Sequence, residues 1–269
     1  MKGLPMNKFA TTLVLVLAAT LSTLAAHPPK HQQQRQEKEK ANEEAKHKIA
    51  HYQTDEGVSG TRAWKEYTAN PKANGPATLL VVFGGRDSVS RGAGPGPTVP
   101  AAIERALDYA RRHSTLGKVI VLVPEMTVER DGGWRRGMEK PSPEGIAKLV
   151  RARAEKHGVK PARIFATGFS MGGGLALSLL NDDPTLFARA LVVGASGDAG
   201  AVADVRAEVL SYHGADDDLI PVTRVKAYAE ALCAKRPGAM KVEVLPKTDH
   251  AESEEVAYAK QDAWKWLFR

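Results

Sequence analysis

Short apolar runs recur along the chain at Thr78 to Phe83, Lys118 to Pro124, Arg163 to Thr167, Ala190 to Gly194, Val209 to His213 and Lys241 to Leu245. Each is brief and bounded by turn residues, as strands buried on both faces are. Arg62 to Thr68, with Trp64 and Tyr67, is a further strand candidate that Asn70-Pro71 and Asn74-Gly75-Pro76 bring to an end. Between the runs the apolar period changes from continuous to helical. Ser142-Pro143 supplies an N-cap and a first-turn proline, after which Ile146, Leu149, Val150 and Ala154 fall on one face until Gly158. Val222, Val225, Ala229 and Leu232 form a second stripe, and Val256, Ala259, Ala263, Trp266 and Leu267 a third. Strands alternating with amphipathic helices predict an α/β fold whose central sheet is mostly parallel and flanked by helices on both faces.

The N-terminus breaks this rhythm. Lys2 and Lys8 precede an apolar run from Phe9 to Leu24 that ends in small residues before His27-Pro28-Pro29, the make-up of a secretory signal peptide cleaved after Ala25. The run is shorter than the roughly 20 residues that span hydrocarbon, so the expectation is an exported protein, periplasmic or extracellular, with no stable membrane span after cleavage. Residues 26–51 are rich in Gln, Lys and Glu and predict a charged tether, either disordered or a solvated helix. Residues 52–269 remain for one catalytic domain. The net charge of +7 comes from 38 basic against 31 acidic residues. Basic residues cluster only as pairs such as Arg111-Arg112 and Arg135-Arg136, without interleaved aromatics, so nucleic acid is not an expected partner. Cys233 is the single cysteine, so no disulfide forms within the chain and stability rests on the core.

The chemistry is concentrated in Ile164-Phe-Ala-Thr-Gly-Phe-Ser-Met-Gly-Gly-Gly174, which sets Gly168-x-Ser170-x-Gly172 between a predicted strand and a predicted helix. On such a tight turn the serine is raised above the sheet, and the flanking glycines remove side chains that would meet the neighbouring strand and helix. Ser170 also stands where a dinucleotide-binding loop needs its second glycine, which excludes that loop. A serine hydroxyl is a weak nucleophile until a base accepts its proton, and the base needs an orienting carboxylate. Downstream, His213-Gly-Ala-Asp216-Asp217-Asp218-Leu-Ile-Pro221 leaves the C-terminal end of one strand, and Pro246-Lys-Thr-Asp-His250 leaves another. One of the three aspartates is the expected acid, and the other two are expected to cap the helix that begins near Val222. His250 is the expected base; its rival His213 precedes the acid loop and is better suited to shaping it. The oxyanion would take one amide from Met171 and one from the Phe83-Gly84-Gly85-Arg86 turn, with Gly85 preferred over Arg86.

Gly168 to Gly174, Asp183-Pro-Thr-Leu-Phe187, His213 to Pro221 and His250 together resemble the phospholipase/carboxylesterase branch of the α/β-hydrolases and the related polyhydroxybutyrate-depolymerase-like and feruloyl-esterase-like secreted esterases, over about Arg62 to Arg269. The pattern in that group selects Asp217 as the acid. Two departures stand out: Phe83-Gly84 occupies the group's usual His-Gly, and Lys247-Thr-Asp-His250 replaces its usual glycine turn before the base. The resemblance implies hydrolysis of a small-molecule or polymeric carboxylic ester through an acyl-enzyme, with catalytic Ser170, Asp217 and His250 and no metal or organic cofactor. Thioester or peptide cleavage by the same triad, and a non-catalytic hydrolase-fold binder of the cell envelope, are the competing readings. The segment from Glu125 to Ser142, with Trp134 and Arg135-Arg136, follows a strand end that faces the expected site and reads as a surface loop.

Overall fold

A computed structural model describes residues 30–50, 52–59, 62–85, 100–124, 143–202 and 204–269. The chain divides into two compact units, Met1–Glu43 and Glu44–Arg269. The expected signal peptide, Arg86, Ser142 and the Glu125 to Ser142 loop lie outside the described residues. Helix α1 (Lys30–Ile49) is the charged N-terminal segment, with Lys46, His47 and Lys48 in its last turn, where cations offset the negative end of the helix dipole. No described helix is long and apolar enough to cross a membrane.

The second unit is built on an eight-stranded sheet. In chain order its elements are β1 (Gln53–Ser59), β2 (Arg62–Ala69), β3 (Thr78–Phe83), α2 (Ala101–Arg112), β4 (Val119–Pro124), α3 (Pro143–Lys156), β5 (Ile164–Phe169), α4 (Met171–Asp182), β6 (Arg189–Val193), β7 (Glu208–Gly214), α5 (Val222–Lys235), β8 (Met240–Leu245), α6 (His250–Ala259) and α7 (Gln261–Phe268). The strands lie in the order β1-β2-β4-β3-β5-β6-β7-β8. β1 and β2 pair antiparallel, and so do β2 and β4; every pairing from β4 through β8 is parallel. This is the mostly parallel sheet expected from the sequence, and helices cover both of its faces.

Strand alternation builds two cores. Leu79, Val81, Ile164, Ala166, Ala190, Val192 and Val209 face α3, α4 and α5, whereas Leu80, Val82, Phe165, Leu191, Val193 and Leu210 face α2, α6 and α7. β3 to β7 bury apolar side chains on both sides, which is why most of their positions are apolar, whereas β8 closes the other edge of the sheet and exposes Lys241 and Val244. β1 was not anticipated. Its sequence, Gln-Thr-Asp-Glu-Gly-Val-Ser, is polar because it is an edge strand that pairs only with β2.

The C-terminal stripe needs correction. The helix breaks at Lys260, where the Trp264 indole N–H donates to the Tyr258 carbonyl at 2.8 Å. The break turns the register, so Val256 and Ala259 face solvent while Ala257, Tyr258, Ala263, Trp264, Leu267 and Phe268 are buried.

On the first core face a buried ion cluster ties α3 to β1 and β2. Glu66 is 1% exposed and accepts from Arg153 Nε at 2.6 Å and from a terminal nitrogen of Arg153 at 2.5 Å. His157 Nε2 lies 2.9 Å from the same carboxylate, and Asp55 accepts from Arg153 and Lys156. The Arg153 guanidinium also sits 3.9 Å above the Trp64 ring. The hydrogen bonds it donates to Glu66 hold the Arg153 guanidinium above its usual range, outweighing its desolvation.

Candidate active site

β5 runs straight into α4 through Ser170, whose backbone adopts φ 53° and ψ −118°, a region that L-residues occupy only under strain. The tight turn is held from below, because the Ser170 amide donates to Val193 O of β6 at 2.9 Å and Gly174 N donates to Ser170 O at 3.0 Å. The flanking glycines are sterically required. A Cβ on Gly168 would lie 2.5 Å from the Gly172 backbone, and one on Gly172 would lie 2.2 Å from the Phe83 carbonyl oxygen. Gly174 has room, with nothing nearer than Ser196 O at 3.8 Å. The Ser170 side chain makes no helix-capping bond, so its hydroxyl is free to turn toward the site.

His250 opens α6. Asp249 caps that helix by accepting from Glu252 N at 2.8 Å, and its own amide donates to Glu252 Oε2 at 3.1 Å. This reciprocal capping box fixes the direction in which His250 leaves the loop. The sequence Asp249-x-x-Glu252 carried that signal and went unread. The acid loop docks on the base loop through backbone contacts: Ala215 N donates to Leu245 O at 2.9 Å and Asp216 N to Thr248 O at 3.0 Å. Gly214 makes this approach possible, since a Cβ there would lie 2.4 Å from Thr248 O.

The result is one hydrogen-bonded chain. His250 Nε2 lies 2.8 Å from Ser170 Oγ, and His250 Nδ1 lies 2.7 Å from Asp217 Oδ2. The Asp217 side chain is buried and the His250 ring nearly so. Asp217 Oδ1 accepts from Leu219 N at 3.1 Å and Ile220 N at 2.8 Å, while Oδ2 faces His250. Asp216 and Asp218 are exposed. They do not cap α5 as expected: its N-cap is Pro221, with no side-chain cap bond, because the chain turns at Asp217 before the helix starts.

The expected oxyanion donors lie beside this chain. Met171 is the first residue of α4, so its amide has no acceptor within the helix. Gly85 is buried at the end of β3, and a Cβ on it would lie 2.8 Å from the Phe169 ring and 3.6 Å from Phe169 O. Phe169 also packs against His250, with ring centroids 5.0 Å apart. It was not singled out from sequence, although its place beside the serine was the available signal. Among the described residues no group of three or more His, Cys, Asp or Glu side chains could hold a metal ion.

Comparison with known proteins follows the same lines. Residues 128–269, which include Ser170, Asp217 and His250, match the family described as "Dienelactone hydrolase family". No curated protein matches the chain by sequence. Among solved structures, a thermostable esterase superposes with a TM-score of 0.65 at 20% identity, over 82% of this chain and 63% of that one; the chain thus spans less than two thirds of that esterase. A thermophilic esterase from Thermogutta terrifontis with propionate bound gives a TM-score of 0.56 at 15% identity, over 81% of this chain and 92% of that one. The Thermogutta terrifontis esterase 2 phosphorylated by paraoxon matches with a TM-score of 0.55 at 15% identity and the same coverage. These likenesses establish a common fold.

Proposed function

The chain belongs to the dienelactone hydrolase family of the α/β-hydrolase superfamily, and from that premise we propose that it hydrolyses carboxylic esters through a covalent acyl-enzyme formed on Ser170. The observation that carries the reading is the hydrogen-bonded chain from Ser170 Oγ through His250 to a buried Asp217, starting at a serine in a strained turn.

In the first half-reaction Ser170 Oγ attacks the acyl carbon while His250 Nε2 takes its proton. Asp217 accepts from Nδ1, which holds the imidazole in the tautomer that leaves Nε2 bare and stabilises the imidazolium as it forms. Charge builds on the former carbonyl oxygen, where the amides of Met171 and Gly85 are the proposed donors. Collapse of the tetrahedral intermediate returns the proton from His250 to the departing alcohol. Water then repeats the sequence in reverse, with His250 first as base and then as acid, and releases the carboxylic acid. No step calls for a metal or an organic cofactor, and the proposed substrate is a small-molecule or polymeric ester.

Export belongs to the same proposal, supported by Lys2, Lys8 and the apolar run to Leu24. N-terminal sequencing of the mature protein should start at Ala26, and an intact Met1 would count against it.

A fluorophosphonate probe tests the chemistry, with paraoxon as a second reagent because it phosphorylates the Thermogutta terrifontis esterase. Peptide mapping should find one adduct, on Ser170, that is absent from Ser170→Ala and slowed in His250→Ala. Folded wild-type protein that takes no adduct, or takes it elsewhere, would overturn the reading.

A further inference from the structure

Ester hydrolysis by Ser170, His250 and Asp217 leaves one feature of the acid loop without a purpose. His213 lies on β7, with no solvent exposure, on the sheet face that also carries Val209 and Ser211. Its Nε2 sits 2.6 Å from Ile220 O and 3.2 Å from Asp217 Oδ2. Both of those oxygens can only accept, so Nε2 carries the proton. Among the described residues Nδ1 is buried without a hydrogen-bond partner, a position tolerable for a bare lone pair but not for a second N–H. These contacts fit the tautomer with its proton on Nε2. A leucine of similar volume would fill the same space without stranding a nitrogen, so packing alone does not account for a histidine here.

Ile220 links this ring to the acid. Its carbonyl accepts from His213, and its amide donates to Asp217 Oδ1 at 2.8 Å. The loop from His213 to Ile220 is thus closed on itself, with Asp217 held inside the closure. Asp216 and Asp218, on either side, point to solvent.

We propose that His213 is a positioning residue for the reaction: its Nε2–H latches the Ile220 carbonyl and, through Ile220, holds the Asp217 carboxylate in line with His250 Nδ1. The proposal rests on the triad reading above. Because His213 is fully buried and its polar contacts are with Ile220 O and Asp217 Oδ2, it acts only through Asp217. Its loss should lower kcat and leave KM nearly unchanged, since misaligning the acid weakens only the stabilisation of the imidazolium in the transition state.

The test is a double-mutant cycle between His213→Leu and Asp217→Asn, read by p-nitrophenyl acetate hydrolysis and by the rate of fluorophosphonate labelling at Ser170. His213→Leu should cost about 10–100-fold in kcat, short of the ~10⁴-fold expected when the acid itself is disabled. On the Asp217→Asn background the same change should cost no more than about 3-fold, because residues acting as a unit are not additive. His213→Gln, whose amide nitrogen can reach Ile220 O, should return within about 5-fold of wild type.

Equal cost of His213→Leu on both backgrounds, or a glutamine variant no faster than the leucine variant, would overturn the latch and leave His213 as packing. Should His213→Leu not fold, the cycle is run with His213→Asn, whose shorter amide keeps a polar group in place but stops short of Ile220. Wild-type protein that neither hydrolyses the ester nor labels at Ser170 would instead overturn the triad reading, and the latch with it. Labelling of wild type with no effect of any His213 variant would remove the latch alone.

Discussion

The strain at Ser170 can be measured separately from its chemistry. Its φ of 53° and ψ of −118° fall where glycine is at ease and an L side chain is not, at a cost of about 1–3 kcal/mol. Ser170→Gly should relieve that cost, and Ser170→Ala should retain it. Both variants lose the hydrogen bond to His250 Nε2, and neither loses a helix cap because the serine makes none. Glycine gives back about 0.4–1 kcal/mol through the greater freedom of its unfolded chain. The difference left is about 1 kcal/mol in favour of glycine, or roughly 2–4 °C in Tm for a domain of this size. Equilibrium urea unfolding of the two variants at neutral pH measures it, with an unchanged slope confirming that the unfolded states are comparable. Both should be inactive toward esters, which separates the stability effect from catalysis. A glycine variant no more stable than the alanine variant would show that the turn is relaxed and that the strain argument fails.

Three further outcomes follow from contacts away from the nucleophile. Gly214→Ala should slow Ser170 labelling at least about 10-fold with Ser170, Asp217 and His250 intact, because its Cβ would meet Thr248 O at 2.4 Å and a shift of about 1 Å in a reacting group costs on the order of 100-fold; labelling at the wild-type rate would show that the base loop does not depend on that approach. Arg153→Leu should cost about 3–5 kcal/mol by leaving the buried Glu66 carboxylate with only His157 beside it, and replacing Glu66 by Leu as well should recover a large part of it; urea midpoints of the two variants decide this. The hydrogen bond from Arg189 and the nearby Arg269 hold the Glu208 carboxyl below its ordinary range, against the opposing effect of burial. A lowered folded value stabilises above the unfolded value of roughly 4.3 and is lost as pH falls through the folded value, so Glu208→Gln should flatten the loss of stability below about pH 4 in unfolding experiments.

The parts of the molecule legible in sequence were those where local pattern and final environment agree. β3 through β7 were readable because a strand covered on both faces leaves little room for polar residues, and Ser170 because two tight backbone approaches demand Gly168 and Gly172. The choice among Asp216, Asp217 and Asp218 was not readable from chemistry, since all three are carboxylates in one polar loop. What separates them is backbone direction, which turns only Asp217 inward toward Leu219 N and Ile220 N. The buried place of His213 had a faint signal, the alternation Val209, Ser211, His213 along a strand. The strand reading placed it in a buried run, but its bond to Ile220 O depends on how the loop folds back and left no mark in the sequence. The C-terminal helices misled because the chain leaves the helix at Lys260 without glycine or proline there, a break bridged by the Trp264 indole hydrogen bond to Tyr258 O.

The distances across the sheet explain why so much of this structure is devoted to backbone docking. Ser170 leaves β5, the acid loop leaves β7 and the base loop leaves β8. Neighbouring strands are about 4.8 Å apart, so the base starts roughly 14 Å from the serine's strand and must return across β7 and β6 to reach it. A histidine side chain covers only part of that span, and the remainder is covered by the backbone of Pro246 to Asp249. That segment is directed by the capping box at the head of α6 and seated on the acid loop by Asp216 N to Thr248 O and by the bare Gly214. Because the acid and base loops bind each other through main-chain groups, their relative position is independent of which carboxylate chemistry the loop carries. The serine is fixed separately, by Val193 O of β6, the strand that lies between. The two halves of the site therefore meet across one intervening strand, and the Oγ to Nε2 distance depends on the rigidity of β6 as much as on the residues that react.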